Sequence, residues 1–177
     1  MGSPITVIKL GGAEGMDHQA ICKNAAELIQ QGQALVLVHG GSDEANTLGE
    51  QLGYPARFIQ SPSGHSSRYT DLRSLDIFCM AVNGRLNTRL TALLQSLGVN
   101  ALGMSGPDGH VIQANRKETI QSIENGKRKI IRDDYSGKIN QVNGDLLRAL
   151  LALGYTPVIA PLAIGANGEI LNVDADR

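Results

Sequence analysis

Two stretches of this 177-residue chain run from aliphatic residues into paired glycines: Ile5-Thr6-Val7-Ile8-Lys9-Leu10-Gly11-Gly12 and Ala34-Leu35-Val36-Leu37-Val38-His39-Gly40-Gly41. Each reads as a buried parallel strand entering a turn whose bare backbone can approach a ligand closely. Behind the second turn, Ser42-Asp43-Glu44 opens a helix, so amides of the turn and of the helix N-terminus together form an anion-binding concavity. Lys9 brings a full positive charge to the same place. Taken singly, a lysine at a strand end also fits a side chain snorkelling to water, and a Gly-Gly pair fits an ordinary turn. Together they suit phosphoryl transfer, where positioning and charge neutralisation supply most of the catalysis. No GxxxxGK[ST] segment occurs, which excludes the Walker route to phosphate binding. No general base stands out, and a carboxylate nucleophile needs none because it is already ionised at neutral pH.

The elements that must carry these residues alternate along the chain. A helix is expected over MDHQAICKNAAELIQQG, stopping at Gly32, and another over SDEANTLGEQLG with Ser42 or Asp43 as N-cap. ARFIQSPSGHSSRYTD is turn-rich and reads as a hairpin or projecting loop. A long helical region runs from Asp71 to about Leu97 and ends at Gly98, followed by a third strand in VNALGMSGPDG. From His110 to Val142 short strands and turns predict a β-rich excursion. NGDLLRALLALG restores a helix, YTPVIAP a fourth buried strand, and GANGEIL a turn and last strand before NVDADR. This order implies an α/β fold with an open, largely parallel sheet and helices on both faces. Ligand sites in such folds lie at the carboxyl ends of the strands, where Lys9-Gly11-Gly12, Gly40-Gly41, Ser105-Gly106 and Asn172 are all expected.

With 42% apolar and 19% charged residues, the composition is that of a globular protein with one substantial core. A net charge of -1 gives no global field favouring nucleic acid or membrane. Cys22 and Cys79 lie far apart without CxxC or Cys/His spacing, so both read as buried free thiols of a reducing compartment, and no metal site is suggested. The absence of a signal-like segment and of any apolar run near 18 residues points to a cytoplasmic protein.

The ordered motifs KLGG, LVHGGSDEAN, SRYTD, GMSGPDG and NVDADR resemble the amino acid kinase family, specifically its acetylglutamate kinase branch. SPSGHSSRYTD and GKRKIIRDDYSGKI look most like the kinases acting on 2-aminoadipate or glutamate linked to an amino-group carrier protein. The resemblance implies a three-layer α/β/α sandwich, a homodimer, and transfer of the γ-phosphoryl group of ATP, bound with Mg2+, to a side-chain carboxylate. It assigns Lys9 to the transferring phosphoryl group, with Gly11 and Gly12 beside it, and Gly40 and Gly41 to the reacting carboxylate. Arg68 would clamp the α-carboxylate with its planar fork. Asn172 would meet the α-nitrogen side, and Asp176 would orient the catalytic lysines.

Charge is distributed unevenly. Residues 1–53 carry Lys9 and Lys23 against Glu14, Asp17, Glu27, Asp43, Glu44 and Glu50, two against six. Residues 115–138 carry Arg116, Lys117, Lys127, Arg128, Lys129, Arg132 and Lys138 against Glu118, Glu124, Asp133 and Asp134, seven against four. A basic cluster centred on Lys127, Arg128, Lys129 and Arg132 suits capture of an acidic carrier protein, while a solvated hairpin balanced by Asp133 and Asp134 is the alternative. Nucleic acid is disfavoured because Tyr135 is the segment's only aromatic residue. The family continues with a nucleotide-binding half that supplies a second lysine and the adenine pocket. Residues 1–177 therefore correspond to the amino-terminal, substrate-binding domain, and this chain alone is expected to be catalytically incomplete. The competing functions are acetylglutamate kinase acting on free N-acetylglutamate, and a non-catalytic carboxylate- or carrier-binding module.

Overall fold

The computed structural model describes residues 4–12, 15–62, 64, 66–124 and 127–176; Ser63 and His65 of the turn-rich SPSGHSSRYTD stretch lie outside them. Four parallel strands form the central sheet: β1 (Ile5–Leu10), β2 (Ala34–His39), β5 (Ala101–Ser105) and β10 (Thr156–Ala160), in the order β1-β2-β10-β5. Alternation along β2 splits the core between its two faces. Leu35 and Leu37 point to one side and pack with Cys22, Ala25 and Ala26 of α1 (His18–Gln30) and Leu90 and Leu94 of α4 (Thr88–Ser96). Val36 points to the other, with Ile159, Met104 and the leucines of α5 (Gly144–Ala152). The layers are thus helix, sheet and helix, the expected sandwich.

The first strand departs from expectation. β1 is an edge strand that pairs only with β2 among the described residues. Leu10 is buried under α1, yet Val7 is 63% exposed because no described element covers its face. The β-branched run identified a strand correctly, but a side chain's burial depends on what packs against it.

A second sheet follows the order β12-β11-β6-β9, built from β6 (Ile112–Arg116), β9 (Gly137–Val142), β11 (Leu162–Ile164) and β12 (Ile170–Asn172). Asn172 therefore stands on an antiparallel strand of this second sheet, and not at the edge of the parallel one. Two hairpins project: β3 (Phe58–Gln60) with β4 (Ser66–Arg68), and β7 (Ile120–Glu124) with β8 (Lys127–Ile131).

The expected long helix is continuous but not uniform. Asp71 caps α3 (Leu72–Cys79) by accepting from the Ser74 amide at 2.8 Å, and residues Met80–Asn87 are wound as a π-helix before α4. At α2 (Ser42–Gln51) the N-cap is Gly41, with no side-chain cap, in place of Ser42 or Asp43. The helix starts directly from the glycine turn, and no side chain caps its first amides; that of Asp43 is taken by the Gly12 carbonyl. Asp43 and Glu44 occupy its first turn, complementing the helix dipole.

Candidate active site

The carboxyl ends of β1 and β2 interlock through their glycines. The Gly40 amide donates to the Leu10 carbonyl at 2.8 Å, and the Asp43 amide to the Gly12 carbonyl at 3.0 Å. A Cβ on Gly12 would collide with the Gly41 nitrogen, and one on Gly40 would lie 2.7 Å from the Gly12 nitrogen. Backbone meets backbone here, and only glycine allows it. Gly41 also has φ 151°, a region side chains disfavour. The turn rests on the π-wound stretch, where Val82 would sit 2.6 Å from a Gly41 Cβ.

These glycines form one wall of a cleft of about 770 Å³ that also contains Lys9, Arg68, Asn172 and Asp176. Residues from the first strand, the β3–β4 hairpin and the second sheet thus converge on one space. Lys9 Nζ lies 2.6 Å from Asp176 Oδ1. Both side chains are partly exposed, so the pair aims the ammonium without adding much stability. Arg68 donates from Nη2 to the Ser42 carbonyl (3.1 Å) and to Asn46 Oδ1 (2.7 Å). Its guanidinium lies 5.3 Å from the Phe58 ring centroid and 5.8 Å from that of Phe78. Burial lowers its pKa. Two bonds on one nitrogen and two aromatic faces hold the plane of the fork.

A buried network sets the floor. The Asp134 carboxylate, wholly buried, accepts from the Thr70 amide (2.9 Å) and the Ser136 amide (2.7 Å). Thr70 Oγ1 in turn accepts from Asn172 Nδ2 at 3.1 Å. Asp133 accepts from the Tyr69 hydroxyl at 2.6 Å. Asp134 is therefore not a solvated counter-charge: buried, it ties the loop carrying Arg68 to the second sheet, whereas Asp133 stays exposed.

Other sequence-derived candidates sit elsewhere. Gly11 does not line the cleft; a Cβ there would meet the Met16 methyl, the movable end of a side chain. Ser105 and Gly106 are structural: the Ser105 amide and hydroxyl both donate to Asp108 Oδ2, and the Gly106 amide donates to the Leu162 carbonyl. Lys127, Arg128, Lys129 and Arg132 are exposed on and just after β8, outside the cleft. Lys117 and Lys138, members of the same basic segment, do line it. Sequence reasoning counted them only as charge, and no local spacing distinguished them. Also missed was the pair His39 and Asn87 beneath the glycine turn, although the histidine immediately before Gly-Gly was in view.

Cys22 and Cys79 are free thiols; burial raises the pKa of both, that of Cys79 to about 11 with Asp76 adding to the effect. Among the described residues no group of three or more His, Cys, Asp or Glu side chains is arranged to hold a metal ion. Among them, too, no helix is long and apolar enough to cross a membrane.

The geometry has counterparts among known proteins. The chain is 47% identical over 171 residues to the [LysW]-aminoadipate kinase of Deinococcus radiodurans, covering 97% of this chain and 59% of that protein. It is equally identical, over 171 residues, to the [LysW]-aminoadipate kinase of Thermus thermophilus, covering 97% and 64%. The chain thus spans about three-fifths of the length of the relatives it matches. Among solved structures, smu.665 from Streptococcus mutans superposes with a TM-score of 0.72 at 25% identity, over 97% of this chain and 64% of that one. Residues 4–177 match the model of the amino acid kinase family, and with glycine turns, lysine and arginine meeting in one cleft of an α/β/α sandwich, the chain belongs to that family.

Proposed function

We propose that residues 1–177 form the amino-terminal, substrate-binding domain of an ATP-dependent kinase. Its acceptor is the side-chain carboxylate of 2-aminoadipate, or of glutamate, attached to an acidic amino-group carrier protein, and its product is an acyl phosphate on the way to lysine or arginine. The observation that carries this reading is the convergence of Lys9, the Gly12, Gly40 and Gly41 backbone, Arg68 and Asn172 on one cleft. The names of the relatives at 47% identity support the choice of substrate.

In this reading a carboxylate oxygen of the substrate attacks the γ-phosphorus of MgATP. The new P–O bond forms as the bond to the β-phosphate oxygen breaks, and ADP leaves. Lys9 neutralises charge on the equatorial oxygens, while amides of the glycine turn meet the reacting oxygens. Arg68, held by α2, presents its remaining N–H groups to the α-carboxylate of the substrate. Asn172, fixed by Thr70, faces the linked nitrogen. Magnesium enters with the nucleotide as part of the substrate complex.

The basic segment fits the carrier. Lys117 and Lys138 stand in the cleft, and Lys127, Arg128 and Lys129, with Arg132 just beyond, continue outward along the β7–β8 hairpin, which lies against β3 of the hairpin bearing Arg68. An acidic carrier resting there would deliver a tethered substrate into the cleft. Replacing Lys127 and Arg128 by glutamate should slow association with carrier-bound substrate, and association of the wild type should weaken as salt rises. Steady-state kinetics on carrier-bound and on free acylated substrate provides the test. Equal efficiency on both substrates, or salt-insensitive association, would defeat the carrier reading and favour a kinase of free N-acetylglutamate.

A further inference from the structure

Beneath the Gly40–Gly41 turn lies a polar group that the reaction outlined above does not use. His39 is fully buried at the end of β2, with Nδ1 2.6 Å from the Gly40 carbonyl oxygen and Nε2 2.9 Å from Asn87 Nδ2. The same Asn87 nitrogen donates to the Val158 carbonyl of β10 at 2.9 Å, which identifies it as the amide NH2 end. Its second hydrogen therefore points at Nε2, and Nε2 must accept. The ring proton is thereby placed on Nδ1, where it is donated to the Gly40 carbonyl.

That bond has a consequence on the opposite side of the peptide. In a trans peptide the carbonyl and the following N–H point in opposite directions. Drawing the Gly40 oxygen down onto His39 turns the Gly41 N–H up, away from the core. Among the described residues this N–H has no backbone acceptor, and neither has that of Ser42, whereas the Gly40 and Asp43 amides that bracket the two are both bonded. It stands against the bare Cα of Gly12, whose missing side chain would otherwise cover it. Gly40, Gly41 and Gly12 all line the cleft, so this peptide forms part of its wall. Asn87 reaches His39 from the π-wound stretch that also supports Gly41 through Val82.

Resting on the kinase reading, we infer that His39 is a positioning residue: held by Asn87, it fixes the Gly40–Gly41 peptide so that the Gly41 N–H serves as a permanent donor to an anionic oxygen in the cleft. The histidine touches neither substrate nor phosphate and acts through the peptide alone. A flipped peptide would present the Gly40 carbonyl to the anion instead, replacing attraction by repulsion.

Conservative variants separate positioning from packing. An asparagine at position 39 can place a donor where Nδ1 stands but does not reach Asn87. A glutamine can place an acceptor where Nε2 stands but loses the bond to the Gly40 carbonyl. The measurement is an amide 1H–15N titration of this chain with inorganic phosphate, followed at Gly41, beside thermal unfolding of each variant. His39→Gln should keep a melting temperature near that of the wild type yet lose roughly ten- to a hundredfold in phosphate affinity, the worth of one hydrogen bond to a charged group. His39→Asn should bind nearly as the wild type while melting earlier. In the wild type, ring 15N shifts should report hydrogen on Nδ1. Affinities that simply follow melting temperature across the variants would overturn the inference, as would hydrogen on Nε2. If the wild-type Gly41 amide responds to phosphate and His39→Gln responds equally, the inference alone fails. A wild-type Gly41 amide that ignores phosphate overturns the anion-site reading and this inference with it.

Discussion

Acid should unfold this protein partly through one histidine. Burial, with a further contribution from His18, lowers the pKa of His39 from 6.5 to about 4 against the opposing pull of its Gly40 hydrogen bond. The cause is legible in the contacts. A proton on Nε2 would set two donors face to face, because the Asn87 amide already points there. The sign follows from proton counting. Between pH 6.5 and about 4 the unfolded chain binds a proton at this ring and the folded chain does not, so stability present at neutral pH declines as pH falls through that window. A depression of that size corresponds to about 3 kcal/mol, a substantial share of the roughly 5–15 kcal/mol that hold a domain folded. Urea unfolding of wild type and His39→Gln at a series of pH values from 7.5 down to about 4 isolates the effect, since carboxylates titrating in the same range are common to both. The wild type should lose about 3 kcal/mol more than the variant across the series, with most of the difference between pH 6 and about 4. Parallel curves for the two proteins would refute the reasoning, because they would mean that the ring takes up its proton without cost in the folded state.

Three further outcomes are expected. In the proposed kinase Lys9→Met should lower kcat by roughly two to three decades with a much smaller change in KM, as for loss of one donor to a developing charge, and steady-state kinetics would reveal a mere surface lysine by an unchanged kcat. Arg68→Lys keeps the charge but loses the fork and its seat between Phe58 and Phe78; carboxylate affinity measured by calorimetry should fall by about 1.5–3 kcal/mol, and an unchanged value would remove Arg68 from binding. Asp134→Leu strands the buried Thr70 and Ser136 amides and should cost about 3 kcal/mol or more in urea unfolding, whereas a cost below about 1 kcal/mol would mean that the network is dispensable.

Much of this molecule can be read from its residues, and the rest cannot for definable reasons. Strand runs ending in Gly-Gly located the parallel sheet and the turn, because hydrophobic pattern and glycine are local signals. Lys9 stood out by its place before Gly11-Gly12, whereas Arg68, Asn172 and Asp176 joined it only because the ordered motifs carried them as a set; all four line the cleft. The exposure of β1 was hidden because an edge and a central strand share one composition. Asp134 looked like a surface charge because the Thr70 amide that buries with it lies 64 residues earlier in the chain, beyond the reach of any local pattern. The absence of a side-chain cap on α2 was missed because Ser42 and Asp43 are good caps wherever the backbone permits one. Here the glycine turn, required for the close approach of Gly12 and Gly40, moved the helix start one residue earlier.

The π-wound stretch Met80–Asn87 bears on how this protein could be shortened. A π segment behaves as an α-helix holding one surplus residue, and the strain is confined to the segment while the flanking helices keep their faces. Leu75 and Phe78 before it and Leu90 and Leu94 after it are all buried, so both flanks are already in register with their own cores. Deleting Gly84, where an added side chain would meet open space, should let the winding relax to ordinary α geometry with those faces undisturbed. Backbone hydrogen bonding would improve and the fold would gain. Val82 and Asn87, however, would no longer both reach the glycine turn, since each is placed by the extra residue between them. Stabilising this helix by the most direct route therefore dismantles the support of the turn, a conflict between sturdiness and activity written into the length of a single helix.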